Sequence, residues 1–220
     1  MTYIGTFLVI SIVLILFYKA EGRFGKMTKF ATIFLLVWHV GSFLLAQSGF
    51  LSDFSSTPPR MVFFLPFMLI LSITFAFSKA GKLIVEKTSL WGLIGIQSFR
   101  FIPELMLDFS YREGLAPIQM TYYGRNFDVL VAALAVFIFI FSKYLKGEEK
   151  VVGVFFSIVG LGLLFNILGT AILSMPTSFR YFINEPANTF VATAPYHFLP
   201  FSMVFLALFG HMLIIRKLLK

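Results

Sequence analysis

Seven long apolar runs, separated by short charged links, limit what this chain can fold into. Each run is rich in Phe, Leu, Ile and Val and is long enough to cross a hydrocarbon core about 30 Å thick as a helix. The runs occupy residues 2–18, 30–50, 61–77, 89–109, 127–144, 151–173 and 196–219. The sequence therefore predicts an all-α, polytopic membrane bundle of seven transmembrane helices, forming a single domain over residues 1–220.

The composition agrees with a membrane protein. Hydrophobic residues make up 59% of the chain and charged residues 13%, whereas a soluble domain carries about 25% charged residues. The chain has no cysteine, so disulfides and thiolate chemistry are excluded. The net charge of +8 lies mainly in short links, where it indicates membrane orientation and gives no reason to expect nucleic acid.

The lysines predict the orientation. Thirteen of the 18 cationic residues occupy alternate links and the C-terminal tail: Lys19, Arg23, Lys26, Lys29, Lys79, Lys82, Lys87, Lys143, Lys146, Lys150, Arg216, Lys217 and Lys220. Because positive loops stay in the cytoplasm, the N-terminus is expected outside and the C-terminus inside. The lysines are expected to be solvated point charges near the lipid headgroups.

The opposite, outward-facing half has a different charge composition. Its cations are all arginine, which suits fixed pairing with carboxylates: Arg60, Arg100, Arg112, Arg125 and Arg180. Its carboxylates are nearly equal in number: Asp53, Glu104, Asp108, Glu113, Asp128 and Glu185. Two long outer connections, residues 110–126 and 174–195, interleave such residues with aromatics. We expect a paired network and two loops that form a cap over the bundle. The structural alternative for the aromatics is a belt at the membrane interface.

The fourth run carries a polar stripe. Gln97, Arg100, Glu104 and Asp108 are spaced to share one helical face, and Arg100 lies about 16 Å along the helix, near the bilayer middle. Charges at this depth normally face the bundle interior or a water-filled cavity. Two interpretations follow: an Arg100–Glu104 pair that only stabilises packing, or one wall of a polar cavity that opens outward.

Candidate site residues come from this stripe and the two long loops. The expected ligand-binding residues are Arg100, Glu104, Arg125, Asn126, Asp128, Asn166, Arg180, Asn184, Glu185 and Asn188. The candidate catalytic residues are Glu104, Asp128, Glu185 and His197. A helix-capping role for Asn126 or Asp128 is the structural alternative. We further expect residues 178–190 to fold over the outer mouth, with Arg180 or Glu185 bonded to a charged residue of "GRNFD" or of the fourth run.

No metal or cofactor is expected. His39, His197 and His211 lie at different depths, and no two of them have the spacing for joint ligation on one helix. The last run has lysines only at its cytoplasmic end, so a retinal Schiff base is excluded. No nucleotide-binding or hydrolase motif occurs in the chain.

Four stretches carry a resemblance: "FRFIPELML" (99–107), "PIQMTYYGRNFDV" (117–129), "PTSFRYFINEPANTF" (176–190) and "FGHMLIIRKL" (209–218). With these motifs the chain resembles an uncharacterised family of bacterial seven-span integral membrane proteins. In those relatives a glutamate commonly precedes the glycine of the "GRNFD"-like stretch, where this chain has Tyr123. The resemblance implies a bacterial inner-membrane location and implies no chemistry.

Three classes of function remain open. The first is a binder, receptor or carrier with an outward-facing polar cavity that takes a small anionic or amphipathic ligand, such as a lipid. The second is a membrane-embedded enzyme that acts on a lipid or lipid-linked substrate at the outer leaflet. The third is a structural or assembly subunit whose charge network only holds the bundle together.

Overall fold

The computed structural model describes residues 2–56 and 58–220, without the side chains of residues 2–4 and 8. Met1 and Thr57 of the predicted domain lie outside the described residues. Over the described residues the chain is all-helical and has no strand, so the predicted all-α class is confirmed. The α-helices are α1 (Thr2–Glu21), α2 (Lys26–Gln47), α3 (Phe64–Phe77), α4 (Lys79–Lys87), α5 (Leu90–Ile96), α6 (Phe101–Arg112), α7 (Asp128–Ile140), α8 (Glu149–Leu173) and α9 (Val204–Leu218).

Helices long and apolar enough to cross a membrane indicate a membrane-embedded protein. Within the described residues there are four: Lys26–Gln47, Arg60–Phe77, Glu149–Leu173 and Leu199–Leu218. The last is 72% buried and forms the centre of the bundle, whereas the others are at most 33% buried. Their outer faces expose large apolar side chains, such as Val37 and Ile158, as is expected of surfaces that contact lipid rather than water.

Local capping explains several helix ends. The α1–α2 turn contains Gly22 at φ 68°, a left-handed conformation that favours glycine. The Glu21 carboxylate accepts hydrogen bonds from the backbone N–H groups of Met27 and Thr28, at 2.9 and 2.8 Å. The hydroxyls of Ser78 and Ser89 each accept an N–H from the first turn of the following helix, α4 and α5. These contacts satisfy donors that a helix start leaves unpaired.

The predicted fourth run is not one uniform α-helix. It consists of α5, a 3₁₀ turn over Gln97–Arg100, and α6. The predicted fifth run, 127–144, is an α-helix only over α7 and ends in a 3₁₀ turn, Ser142–Tyr144. A π-helical turn, Leu199–Met203, precedes α9. Such local departures from α-geometry commonly occur at functional positions in helices, and here the 3₁₀ turn carries Arg100.

The lysine-rich end of the bundle is more ordered than the sequence suggested. Arg216 donates to the carbonyls of Ala76 and Ser78, at 2.6 and 2.7 Å, where α3 ends. Lys217 donates to the carbonyls of Val85 and Thr88, at 2.7 and 3.0 Å, where α4 ends. Cations at helix C-termini satisfy unpaired carbonyls and complement the helix dipole. The expectation that the lysines here are solvated point charges is therefore wrong for Lys217.

At the opposite end, the segments 113–127 and 174–198 contact each other. Gln119 donates to the Ser174 hydroxyl at 2.9 Å and accepts from Asn184 at 2.8 Å. The Asn188 side chain donates to the carbonyl of Ala171 at 3.0 Å. These bonds between neutral groups connect the two segments with each other and with the end of α8.

Candidate functional site

Arg100 is the centre of a buried polar cluster. Its side chain is 1% exposed. Its Nε lies 3.1 Å from Oδ2 of Asp128 and its Nη2 lies 2.6 Å from Oδ1. Nη1 donates to the Gly160 carbonyl and to Nε2 of His211, both at 3.2 Å. A guanidinium has five N–H donors, so most of its capacity is used by groups of the protein itself.

Two sequence expectations about Arg100 are thereby decided. Arg100 and Glu104 are both buried within the bundle, at 1% and 3% exposure, which confirms that they face other helices rather than lipid. Of the two interpretations of the polar stripe, the Arg100–Glu104 pair is wrong: among the described residues the carboxylate partner of Arg100 is Asp128. The start of α7 lies beside the 3₁₀ turn, so Asp128 reaches the guanidinium from a neighbouring helix.

Two glycines make room for the cluster. A Cβ atom on Gly160 of α8 would collide with the His211 imidazole, and one on Gly210 of α9 would collide with the Gln97 amide. Gln97 donates to the Ala207 carbonyl at 3.1 Å. The small residues therefore let α8 and α9 approach the polar side chains closely, as small residues do between membrane helices.

Asn126 connects Glu104 to the start of α7. Its amide nitrogen donates to Oε2 of Glu104 at 2.7 Å and to the Met120 carbonyl at 3.1 Å. Its amide oxygen accepts the backbone N–H of Asp128 at 3.1 Å. Asn126 thus satisfies an unpaired donor at a helix start, as the capping alternative expected, and also fixes the position of the buried carboxyl.

The expected pairing of arginine with carboxylate is confirmed for four of the five arginines. The pairs are Arg60–Asp53, Arg100–Asp128, Arg112–Asp108 and Arg180–Glu185. Arg125 instead lies over the Phe182 ring, 5.6 Å from its centroid. Glu104 is buried and has no ion-pair partner among the described residues.

A cavity lies against this cluster. Its volume is about 100 Å³, and three polar residues, Arg100, Glu104 and Asp128, contribute to its wall. The rest of the wall consists of apolar side chains, which include Met68, Leu107, Leu164, Ile167, Ala171, Met175, Phe201 and Ala207. A volume of this order accommodates an apolar group the size of an aromatic ring. Small-molecule sites typically combine such an apolar wall with a few polar groups.

Four other ligand-binding candidates, Arg180, Asn184, Glu185 and Asn188, lie in the 174–198 segment, outside the cavity wall. Arg180 donates to the carbonyls of Phe182 and Asn184 and to Glu185. Asn184 is exposed and donates to Gln119. The expectation that Arg180 or Glu185 bonds to a charged residue of "GRNFD" or of the fourth run is wrong within the described residues, because the two bond to each other at 3.0 Å.

Glu185 is an exposed, locally stabilised carboxylate. The hydrogen bond from Arg180 holds the pKa of Glu185 below its ordinary value of 4.5, and the N–H of Ala187 adds to the effect. Its side chain is 73% exposed. The pair therefore orders its own loop and does not contribute to the buried cluster.

The remaining candidates are structural neighbours of the site. The Asn166 amide donates to the Arg125 carbonyl at 2.7 Å, and so fixes the "GRNFD" backbone to α8. Asn188 is buried and bonded to α8. His197 is fully buried among aromatic rings, 4.0 Å from the centroid of Phe198, and neither ring nitrogen has a hydrogen-bond partner among the described residues. None of these three lines the cavity.

His211, Gly160 and Gly210 are site residues that are absent from the candidates predicted from the sequence, although the glycines of the sixth run, Gly160 among them, favour a close approach of helices. The sequence analysis places His211 only among possible metal ligands, although its position in the last run gives it a depth similar to that of Arg100. The two glycines carry no polar signal. Only their occurrence at mid-helix, where glycine is unfavourable unless packing requires it, indicated a close approach.

Comparison with known proteins gives no family for this chain. No family model, no curated protein and no solved structure matches it.

Proposed function

We propose that this chain is a multi-pass protein of the bacterial inner membrane that binds a small amphipathic ligand in the cavity beside Arg100, Glu104 and Asp128. In this proposal the chain crosses the bilayer seven times, with the N-terminus outside and the C-terminus in the cytoplasm. The lysine-rich links and tail support this orientation, and the segments 113–127 and 174–198 then lie at the outer face as a cap.

The observation that carries the proposal is the composition of the cavity wall. Almost all of it is apolar, and the polar groups are confined to Arg100, Glu104 and Asp128. A ligand that fills it therefore needs an apolar part about the size of an aromatic ring and one compact polar group. Of the two ligand types expected from the sequence, this favours the amphipathic one. A simple anion gains little here, because Asp128 already neutralises the guanidinium.

An enzyme that acts on a lipid is the second candidate, and one observation favours it. Two of the four candidate catalytic residues, Glu104 and Asp128, line the same cavity, and paired carboxyls are a common arrangement for general acid–base chemistry. Asp128 is engaged with Arg100, so Glu104 would be the acid or base. Glu185 and His197 would have no part in the reaction.

Binding is tested with purified protein in lipid nanodiscs and a fluorescent single-chain amphiphile. We expect saturable binding to the parent protein. The substitution Ala171→Phe puts a large side chain into the cavity wall and is expected to abolish binding. Ile158→Phe is the matched control, because this residue lies on the same helix, α8, with an exposed side chain. Equal binding by the parent and the Ala171→Phe variant would contradict the proposal.

A further inference from the structure

We propose that Glu104 is the headgroup receptor of the cavity and that it recognises a cation, namely the protonated amine of a ligand with an apolar chain. This inference rests on the proposed function, because it needs a ligand in the same cavity. It specifies the ligand class that the cavity selects: an alkyl ammonium compound in preference to an alcohol or a fatty acid of equal length.

The charge balance of the wall carries the first step. The polar wall contains one cation, Arg100, and two carboxyls, Glu104 and Asp128. Asp128 pairs with the cation through both of its oxygens. Glu104 is the carboxyl that remains, 3% exposed and without an ion pair among the described residues. A carboxylate is costly at such a buried position unless a cation lies beside it. A ligand ammonium supplies that cation, and the wall then contains two complete pairs.

The hydrogen bonds of Glu104 carry the second step. Only Oε2 has a described donor, the Asn126 amide at 2.7 Å. That amide is itself fixed by bonds to the Met120 carbonyl and the Asp128 N–H. The carboxyl is thus held in position while its other oxygen is left for the cavity. An ammonium group has N–H donors and no acceptor, which matches this oxygen.

The hydrogen bonds that Arg100 already makes argue against a ligand with a negatively charged headgroup. A fatty-acid carboxylate would need free donors at the wall, but Nε and both Nη atoms already face Asp128, the Gly160 carbonyl or His211. It would also lie beside Glu104 and Asp128. Like charges at close range in a water-poor cavity repel strongly. The geometry therefore selects against an anionic headgroup.

The apolar wall supplies the rest of the recognition. Side chains from α3, α6, α8 and α9, including Met68, Leu107, Leu164 and Ala207, surround the space next to Glu104. Each buried methylene of a ligand chain contributes favourably by leaving water. The same wall excludes water from the ammonium–carboxylate pair and so strengthens it.

The test compares single-chain alkyl amines, alcohols and carboxylic acids of equal length, each used to displace the fluorescent amphiphile from the parent protein in nanodiscs. We expect the amine to bind about tenfold or more tightly than the acid, the size expected of a charge pair removed from water. Glu104→Gln keeps the shape and the Asn126 contact, and is expected to bind amine and alcohol equally. Asp108→Asn is the matched control, because Asp108 is on the same helix and pairs with Arg112 outside the cavity.

The outcomes separate the two proposals. An acid that binds as well as the amine to the parent protein overturns the cation assignment but leaves the cavity as the ligand site. An amine preference that survives in a folded Glu104→Gln variant also overturns it. If no amphiphile binds the parent protein, the proposed function itself fails. Phosphatidylethanolamine forms a second arm: displacement by this lipid assigns the amine to a lipid headgroup, whereas displacement by the single-chain amine alone assigns it to a free amphiphile.

Discussion

Removing the charge of Asp128 is expected to destabilise the fold far more than removing the charge of an exposed partner. In Asp128→Asn the shape of the side chain is kept, but Arg100, at 1% exposure, loses the carboxylate that approaches it to 2.6 and 3.1 Å. Leaving one partner of a buried pair uncompensated costs about 3–5 kcal/mol. The Gly160 carbonyl and His211 offset only part of this, because neither carries a negative charge.

The measurement is equilibrium unfolding in mixed micelles, with the parent, Asp128→Asn, Arg100→Gln and the double variant. We expect Asp128→Asn to lose about 3–5 kcal/mol and the double variant to lose less than the sum of the two singles, because no unpaired charge remains. Glu185→Gln is the control, since it removes an arginine-paired carboxylate that is 73% exposed. If Asp128→Asn unfolds like Glu185→Gln, the pair is not buried as described.

Three further results are expected. Gly160→Ala forces a methyl group into the His211 ring and should cost about 1–3 kcal/mol in the same unfolding assay. Gly162→Ala has open space around it and should be neutral or stabilising. Equal effects of the two substitutions would contradict the packing of Gly160 against His211. The pKa of Glu185 lies below 4.5 in the folded state, so its ionised side chain stabilises the fold above pH 4.5, and this stabilisation is lost as the pH falls through the folded pKa. The difference in unfolding free energy between the parent and Glu185→Gln should therefore shrink in acid, and a difference that grows in acid would contradict the pairing. Lys217→Met leaves two carbonyls unpaired and should cost about 1–3 kcal/mol. Lys146→Met, at an exposed position, should have little effect. Unchanged stability of the Lys217 variant would show that water replaces the ammonium at these carbonyls.

Much of the fold and part of the site follow from the sequence. Long apolar runs predict helices because hydrocarbon leaves the backbone no other way to satisfy its polar groups. The spacing of Arg100 and Glu104 predicts that both face the bundle, because a charged side chain that faces hydrocarbon is costly. The tendency of arginine to pair with carboxylates predicts that most of the arginines form ion pairs. It does not predict which carboxylate each arginine contacts.

The partners themselves were not predictable from local spacing. Arg100 prefers Asp128 to Glu104 because the loop before α7 brings the aspartate beside the guanidinium, and that placement is a tertiary feature. The density of charge around Arg180 and Glu185 in an apolar chain predicts a functional site, yet the two residues pair with each other within their own loop. The sequence does not show that His211 is the neighbour of Gly160, because a glycine that makes room for a side chain cannot be told by sequence from one that faces open space, such as Gly162.

Photolabelling decides whether the cavity beside Glu104 holds the ligand. A short-chain alkyl amine, with an apolar part about the size of an aromatic ring and a diazirine at the end of its chain, is crosslinked to the protein in nanodiscs. The labelled residues are identified by mass spectrometry. Labels on the cavity wall, at Leu164, Ala171 or Met175, that disappear with excess unlabelled amine and in Ala171→Phe are expected. Labels confined to the exposed outer faces of the helices, such as Ile158, and unaffected by competitor would show that the amine only dissolves in the surrounding lipid.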